Sequence, residues 1–494
     1  LLSALIFLIA CKKNAGNTTV IPPVQKFNFN TVSVNSTILT NTVYGIPFIP
    51  VIKIAFSTPV KKTTVAAGII LKNNTGVDIS INFSFQNGDS VVQLQPSTPL
   101  LPISKYTLSL NNTLASAQNA ALNTAVTFTI ITAIDSTNKF PQLSESALLD
   151  KVEQQTFKYF WDFGHPVSGM ARERNSSGDI VTTGGTGFGI MAIVTAVSRG
   201  FISRVEGRDR LLKITNFLTN NCTKYHGAFA HWINGNTGET VPFSINDNGG
   251  DLVETSLLLQ GLISAREYFN NTTDPSETDL KTKINNLWNN VEWNWYRQNN
   301  QNVLYWHWST DKGWIINQQI SGWNESLIVY VLAASAPAPA NRIPKAAYDN
   351  GWSRNGSMRN NGIFFGYPLP LGQDLGGPLF FSHYSFTGIN PNGLNDAYAN
   401  YVTQVTNHTK INYEYCKANP RNWYGYSNQC WGLTASDVPN GYNANAPGNN
   451  DLGVISPTAA ISSMPYTPAE SMAALKFFYY KLGDKMWGDY GLYD

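Results

Sequence analysis

Between residues 27 and 132, apolar and polar positions alternate with a period of two, in short runs broken by turn residues. Ile52-Lys53-Ile54-Ala55-Phe56, the stretch from Val77 to Phe83, Val91-Val92-Gln93-Leu94 and Tyr106-Thr107-Leu108-Ser109-Leu110 are such runs; Asn74-Thr75-Gly76 and Asn87-Gly88-Asp89 are such turns. The pattern predicts an all-β sandwich over residues 27–133. After a linker near 133–142 the period lengthens. Leu148, Val152, Thr156, Tyr159 and Phe160 recur at three-to-four spacing behind Ser144, a residue suited to cap a helix. Further helices are expected near 186–200, 205–221, 250–270, 276–298, 321–335, 341–354, 393–409 and 469–483. Between them lie long loops rich in Gly, Asn and aromatics, at 227–249, 299–320, 355–392 and 420–468. Helices in series with elaborated loops predict an all-α domain over 143–494, an (α/α)6 toroid whose loops build a cleft at one end. About twelve helices complete such a ring and about ten are readable, so the last pair is expected beyond Asp494.

The N-terminus has a different character. Residues 1–10 form an apolar run too short to span a bilayer and long enough for the core of a signal peptide. It ends in Leu8-Ile9-Ala10-Cys11, which resembles a bacterial lipobox, in which the cysteine is diacylated. Residues 1–11 are therefore expected to be a lipoprotein signal with Cys11 as the lipidated residue. Residues 12–26, with Lys12, Lys13 and Pro22-Pro23, are expected to be a flexible tether. No Met precedes Leu1, so the precursor is expected to begin upstream. The expected location is the bacterial outer membrane, lipid-anchored, on its periplasmic or outer face.

Composition narrows the function. Charged residues make up 13% of the chain, and Lys plus Arg (34) nearly balances Asp plus Glu (32). No basic stripe is present, which weighs against nucleic acid as a partner. Aromatic residues reach 12%, with 13 Trp and 23 Tyr; that suits stacking on sugar rings, although the same residues serve protein interfaces. Beyond Cys11 there are Cys222, Cys416 and Cys430. Cys416 and Cys430 could pair in an oxidising compartment, but ordinary packing is the better reading of each cysteine. No Cys/His spacing fits a zinc site, and neither a metal nor a cofactor is expected.

The sharpest chemical signal is Asn246-Asp247-Asn248-Gly249-Gly250-Asp251-Leu252-Val253-Glu254. The glycine pair breaks a loop and the apolar run from Leu257 starts a helix. If the turn is already helical, Asp247, Asp251 and Glu254 share one face. Crowded acids resist ionising together, so at least one is expected to have a raised pKa. Two plainer readings stay open: helix capping, with Asp247 or Asn248 as N-cap, and a calcium loop, whose spacing fits poorly. A second signal is Ser321-Gly322-Trp323-Asn324-Glu325, another acid at a helix start beside an indole. Trp306, Trp308 and Trp323 are candidate sugar platforms. Glycoside hydrolysis needs one protonated acid and one carboxylate. Weaker candidates for lining the cleft are Arg172, Arg174, His383, Asp437, Tyr466 and Glu470. The sandwich holds no charged cluster and reads as a spacer, with glycan binding as the alternative.

Several motifs in order also carry a resemblance: Glu153-Gln154-Gln155-Thr156-Phe157-Lys158-Tyr159-Phe160-Trp161, Thr183-Gly184-Gly185-Thr186-Gly187-Phe188-Gly189, the 247–254 stretch, Gly322-Trp323-Asn324-Glu325, Cys430-Trp431-Gly432-Leu433-Thr434-Ala435-Ser436-Asp437 and Pro465-Tyr466-Thr467-Pro468. Over about residues 145–494 the chain resembles the glucoamylase-like lipoproteins of Bacteroidetes-type bacteria, and residues 27–132 resemble a bacterial immunoglobulin-like module. The resemblance implies an (α/α)6 toroid and an inverting endo-β-1,2-glucanase acting on a β-glucan without a cofactor. It implies that Asp247, Asp251, Glu254 and Glu325 line the catalytic centre, with Glu325 the general acid and one of the other three the base. Family members continue past Asp494, which puts in doubt whether every residue of the site is present. A hydrolase or lyase of another polysaccharide, or a non-catalytic glycan-binding lipoprotein, are the alternatives.

Overall fold

A computed structural model describes residues 26–494; Cys11 and nearly all of the tether lie outside the described residues. The chain divides after Ser136 into two compact units.

The first unit is built from strands β1 (Phe29–Val34), β2 (Thr37–Ile38), β3 (Thr42–Ile46), β4 (Ile52–Phe56), β5 (Ile69–Asn73), β6 (Ile81–Gln86), β7 (Val91–Pro96), β8 (Lys105–Leu110) and β9 (Val126–Thr132). They form two sheets, ordered β2-β1-β4-β7-β6 and β3-β9-β8-β5, with β3 and β9 parallel. The period-two alternation has its physical cause here: Ile52, Ile54 and Phe56 are buried while Lys53 is exposed. Leu71, Val92, Leu94, Leu108 and Ile130 complete a shared core between the sheets.

The second unit is helical: α1 (Glu145–Trp161), α2 (Thr183–Ser198), α3 (Arg204–Asn220), α4 (Leu252–Tyr268), α5 (Pro275–Asn289), α6 (Leu327–Ala334), α7 (Tyr401–Ala418), α8 (Pro457–Ser462) and α9 (Pro468–Met486). Ser144 caps α1 through the Ala147 amide, and Ser203 opens α3 with a reciprocal capping box to Glu206. Several expected helices moved: the one near 276–298 ends at Asn289 and the one near 321–335 starts at Leu327. The one near 393–409 starts only at Tyr401, because Asp396 folds its own loop by accepting the amides of Tyr398 and Ala399, and Asn400 then caps. The one near 341–354 shrinks to a π-helical segment, Ala347–Trp352. Loop 420–468 contains α8 and a hairpin, Ala435–Val438 with Gly441–Ala444.

Helix α4 positions everything that follows. Buried residues occupy all of its sides, among them Leu252, Thr255, Leu258, Leu259, Gln260 and Leu262, so it lies inside the unit rather than on it. It packs on α2, α5 and α6. Against α2 the backbones nearly touch: a Cβ on Gly187 would lie 2.1 Å from the Leu257 carbonyl, and one on Gly261 2.2 Å from the Gly187 carbonyl. At the far end of the unit, Leu148 and Val152 of α1 share a cluster with Met472, Leu475, Tyr479 and Tyr480 of α9.

Candidate active site

Asp251 ends a two-residue strand paired with His307–Trp308, so that it stands opposite His307. Its Oδ1 accepts the amides of Val253 and Glu254, both at 2.9 Å, which makes Asp251 the N-cap of α4. Glu254 lies in the first turn, facing α2, where its Oε2 accepts the Gly184 amide at 2.9 Å. A side chain at Gly184 has no room, since its Cβ would stand 2.3 Å from that oxygen. Asp247 arrives differently. A turn in which its amide donates to the Ser244 carbonyl (3.1 Å) holds it before the helix. The helical face expected for all three acids is therefore not formed, because Gly250 and Asp251 are extended. The cap is Asp251, not Asp247 or Asn248.

Two histidines close the group. His231 Nδ1 lies 3.3 Å from Asp251 Oδ2, with the ring stacked on Phe243 at 4.4 Å. His307 Nε2 lies 3.5 Å from Asp247 Oδ1 and accepts the Gly249 amide at 3.0 Å. Glu325 sits just before α6, its carbonyl accepting the Ser385 hydroxyl at 2.5 Å. Tyr384, next to that serine, is 36% exposed and close enough to both Glu254 and Glu325 for their charges to act on its hydroxyl. Gln260 of α4 fixes this segment by donating to the Tyr384 carbonyl at 2.9 Å and to Thr387 Oγ1 at 2.7 Å.

The electrostatics follow from burial. Burial, then the charge of Asp251, pushes the Asp247 carboxyl up to about 6. Glu254 is pushed up to about 7: burial dominates, Asp251 and Glu325 add to it, and His231 and the Gly184 amide oppose it. Burial, with the charge of Asp251 behind it, also raises Glu325. Burial disfavours the cationic form of His231, but Asp251, Glu254 and Asp247 outweigh it and hold the imidazole at about 9. Burial keeps His307 below its ordinary value. His231, Asp247 and Asp251 bring one nitrogen and two oxygens within 4.8 Å of one another.

The structure thus brings Asp247, Asp251, Glu254 and Glu325 together, and treats the other candidates unevenly. Trp323 is a core residue, 6% exposed and packed against Trp352, Phe386 and Tyr401, because it leads into the apolar helix α6. It is no sugar platform. His383 is buried too, hydrogen-bonded to Ser462 at 3.0 Å and stacked on Tyr466. Arg172 spends its guanidinium on the carbonyls of Phe163 and Gly178. Trp306 and Trp308 are half-buried, Trp308 edge-on to Trp295. Arg174 binds Asp437 of the 435–444 hairpin at 3.1 Å, and Tyr442 of that hairpin feels the charge of Glu254. Glu470 lies in the first turn of α9. Cys222, Cys416 and Cys430 are free thiols. His231, His307 and Tyr384 were missed by sequence reasoning: each is far in sequence from the acids, and only the pairing of distant segments delivers it.

Residues 317–494 match the family described as "Putative glucoamylase", and residues 15–130 match the bacterial Ig-like domain. The chain is similar to an endo-β-1,2-glucanase of Chitinophaga pinensis, solved in complex with sophorotriose and glucose. The two are 48% identical with a TM-score of 0.69, over 72% of this chain and 86% of that one. A β-1,2-glucanase of Parabacteroides distasonis is 35% identical with a TM-score of 0.69, over 94% of this chain and 66% of that one. An exo-β-1,2-glucooligosaccharide sophorohydrolase (non-reducing end) of Parabacteroides distasonis is 45% identical over 373 residues, 71% of this chain and 51% of that protein. The chain spans about half the length of this curated relative. With this identity and coverage, an Ig-like first unit and a helical second, the chain belongs to the glucoamylase-like family.

Proposed function

We propose that the protein is an inverting glycoside hydrolase that cuts linear β-1,2-glucan inside the chain and needs no cofactor. The observation that carries this is the meeting of Glu254 and Glu325, two carboxyls with raised pKa, beside the buried Asp247 and Asp251 in one basin. Hydrolysis of a glycoside requires a carboxyl that still holds its proton near neutral pH and a second that can take one from water. Glu325 is the acid in this reading. It protonates the glycosidic oxygen as the bond from that oxygen to the anomeric carbon breaks, while water attacks the opposite face and loses its proton to the base. Asp251 has committed Oδ1 to the helix cap, so the base is Asp247, whose Oδ2 has no partner, or Glu254. The half-buried Trp306 and Trp308 are the remaining candidates for sugar contact.

The helical unit is read as an (α/α)6 toroid. Supporting this, α2, α4 and α6 are buried widely and pack in succession, α2 on α4 and α4 on α6, while α1, α3 and α5 each bury one side. The Ig-like unit serves as a spacer, and Cys11 as the lipid attachment to the outer membrane; palmitate labelling of wild type against Cys11→Ser tests the latter.

The test of function is release of reducing ends from linear β-1,2-glucan, with β-1,3-glucan, β-1,4-glucan and starch as controls. A ladder of short β-1,2-oligosaccharides from the first substrate alone is expected. Sophorose as the sole product would favour the exo mode that the sophorohydrolase relative suggests. No release from any glucan by folded protein would overturn the hydrolase reading.

A further inference from the structure

Four carboxyls meet in the basin, and Asp247 and Asp251 are 4% and 0% exposed. Buried charge of one sign needs a counter-charge. Among the described residues no lysine or arginine lies within ion-pair distance of any of the four; the cationic groups that reach them are His231 and His307. His307 is barred from the role. Its Nε2 accepts the Gly249 amide and so must keep a lone pair, which leaves the ring neutral. That leaves His231. Its Nδ1 faces Asp251 Oδ2 at 3.3 Å, and neither of these two atoms has another partner. The ring is fixed from one side by Phe243, stacked at 4.4 Å and 26°, and edge-on by Trp232. The backbone on either side is pinned to the start of α2: the Thr183 hydroxyl donates to the Ala230 carbonyl at 2.5 Å and the Thr183 amide to the His231 carbonyl at 3.1 Å.

We propose that His231 is a fixed imidazolium and the positioning residue of the carboxylate basin: it pairs with Asp251 at the head of α4 and sets the charge against which Glu254 gains and loses its proton. The inference deepens the hydrolase reading and rests on it for the catalytic part only. The groups facing this centre are Asp247, Asp251 and Glu254 from the 247–254 segment, neutral His307 from its paired strand, Glu325 from the approach to α6, Tyr384 beside it, and Tyr442 from the hairpin. Burial and the two flanking acids raise Glu254, whereas His231 opposes the rise. Removing the imidazolium therefore lifts Glu254 further. Deprotonation then needs a higher pH, and the acidic limb of the rate profile moves upward.

The test has two parts on the full chain. First, the imidazole of His231 is titrated by NMR, its resonance assigned by its loss in His231→Gln. A midpoint near 9 is expected, well above the ordinary value near 6.5; a midpoint at or below 6.5 overturns the proposal. This arm requires no turnover, so it stands even if β-1,2-glucan is not cleaved. Second, the pH profile of kcat for His231→Gln is compared with wild type. The acidic limb is expected to move up by about one unit, a roughly tenfold loss below the limb that shrinks above it. His231→Lys, which restores a cation, is expected to move the limb back. A uniform loss at every pH, with no shift, would mean a merely structural role. If His231→Gln does not fold, the resonance is assigned by its loss in His231→Lys, and the wild-type titration decides.

Discussion

The two units bury their polar groups very differently. In the Ig-like unit the buried side chains are almost all apolar, with Ser116 and Thr132 the exceptions among the described residues. The helical unit buries acids, histidines and amides in number, and these divide again. Glu277 accepts from Arg204 at 2.6 Å and from the Asn271 amide, and Asp451 is gripped by the hydroxyls of Tyr415 and Tyr426. Those acids are satisfied and tie loops to helices. Asp247, Asp251, Glu254 and Glu325 instead share one basin, with the buried Oδ2 of Asp247 left unpartnered and three of the four carboxyls raised in pKa. Buried polarity that is paid for locally marks architecture; buried polarity that is not marks chemistry.

The comparison can be broken at several points. The largest effect belongs to the basin: Glu325→Gln and Glu254→Gln should each lower kcat about 10²- to 10⁴-fold on β-1,2-glucan, with the fold intact by circular dichroism. Retained turnover in both would sink their assignment. The sandwich core comes next. Leu94→Ala, fully buried between the sheets, should cost about 2–5 kcal/mol in chemical denaturation of the first unit. A satisfied acid of the helical unit should behave like that core residue: Glu277→Gln should cost about 1–3 kcal/mol, moderated because its partner Arg204 is partly exposed. Its KM should not move.

The last prediction reverses sign. Glu254 is raised in the folded state, so its ionisation opposes folding: stability is highest below its ordinary value near 4.5 and falls as pH rises to about 7. Glu254→Gln should therefore raise the Tm at pH 8, by the equivalent of about 1 kcal/mol, and have no such benefit at pH 4. A melt series across pH 4–8 checks it. Destabilisation at pH 8 would mean the carboxylate is better satisfied than its single Gly184 contact implies.

How much was legible beforehand follows the range of the interactions. The sandwich strands and most helices could be read because period and capping are local: Ser144 lies three residues from the amide it caps. Three of the four acids were found because each sits at a helix start, and Asp247 because it stands four residues before Asp251. Their grouping as one helical face failed because a strand pairing with residue 308, invisible in local sequence, holds Gly250 extended. Trp323 was misread for the same reason that it was noticed: an indole beside an acid looks like a platform until the surrounding rings are seen to enclose it. His231 and Tyr384 left no trace at all, since each is brought to the basin by contacts more than a dozen residues away in the chain.

The crossing of α2 and α4 through Gly187 and Gly261 has a further consequence. Because main chain rests on main chain there, no side chain can be enlarged to shift the helices, and Glu254 is delivered to its place by backbone alone. The crossing works as a fixed gauge for one wall of the basin. Variation near Glu254 falls instead to the 435–444 hairpin, whose exposed Tyr442 feels the charge of Glu254 and which the surface pair Arg174–Asp437 holds. A redesign of this scaffold would leave the gauge untouched and vary the hairpin.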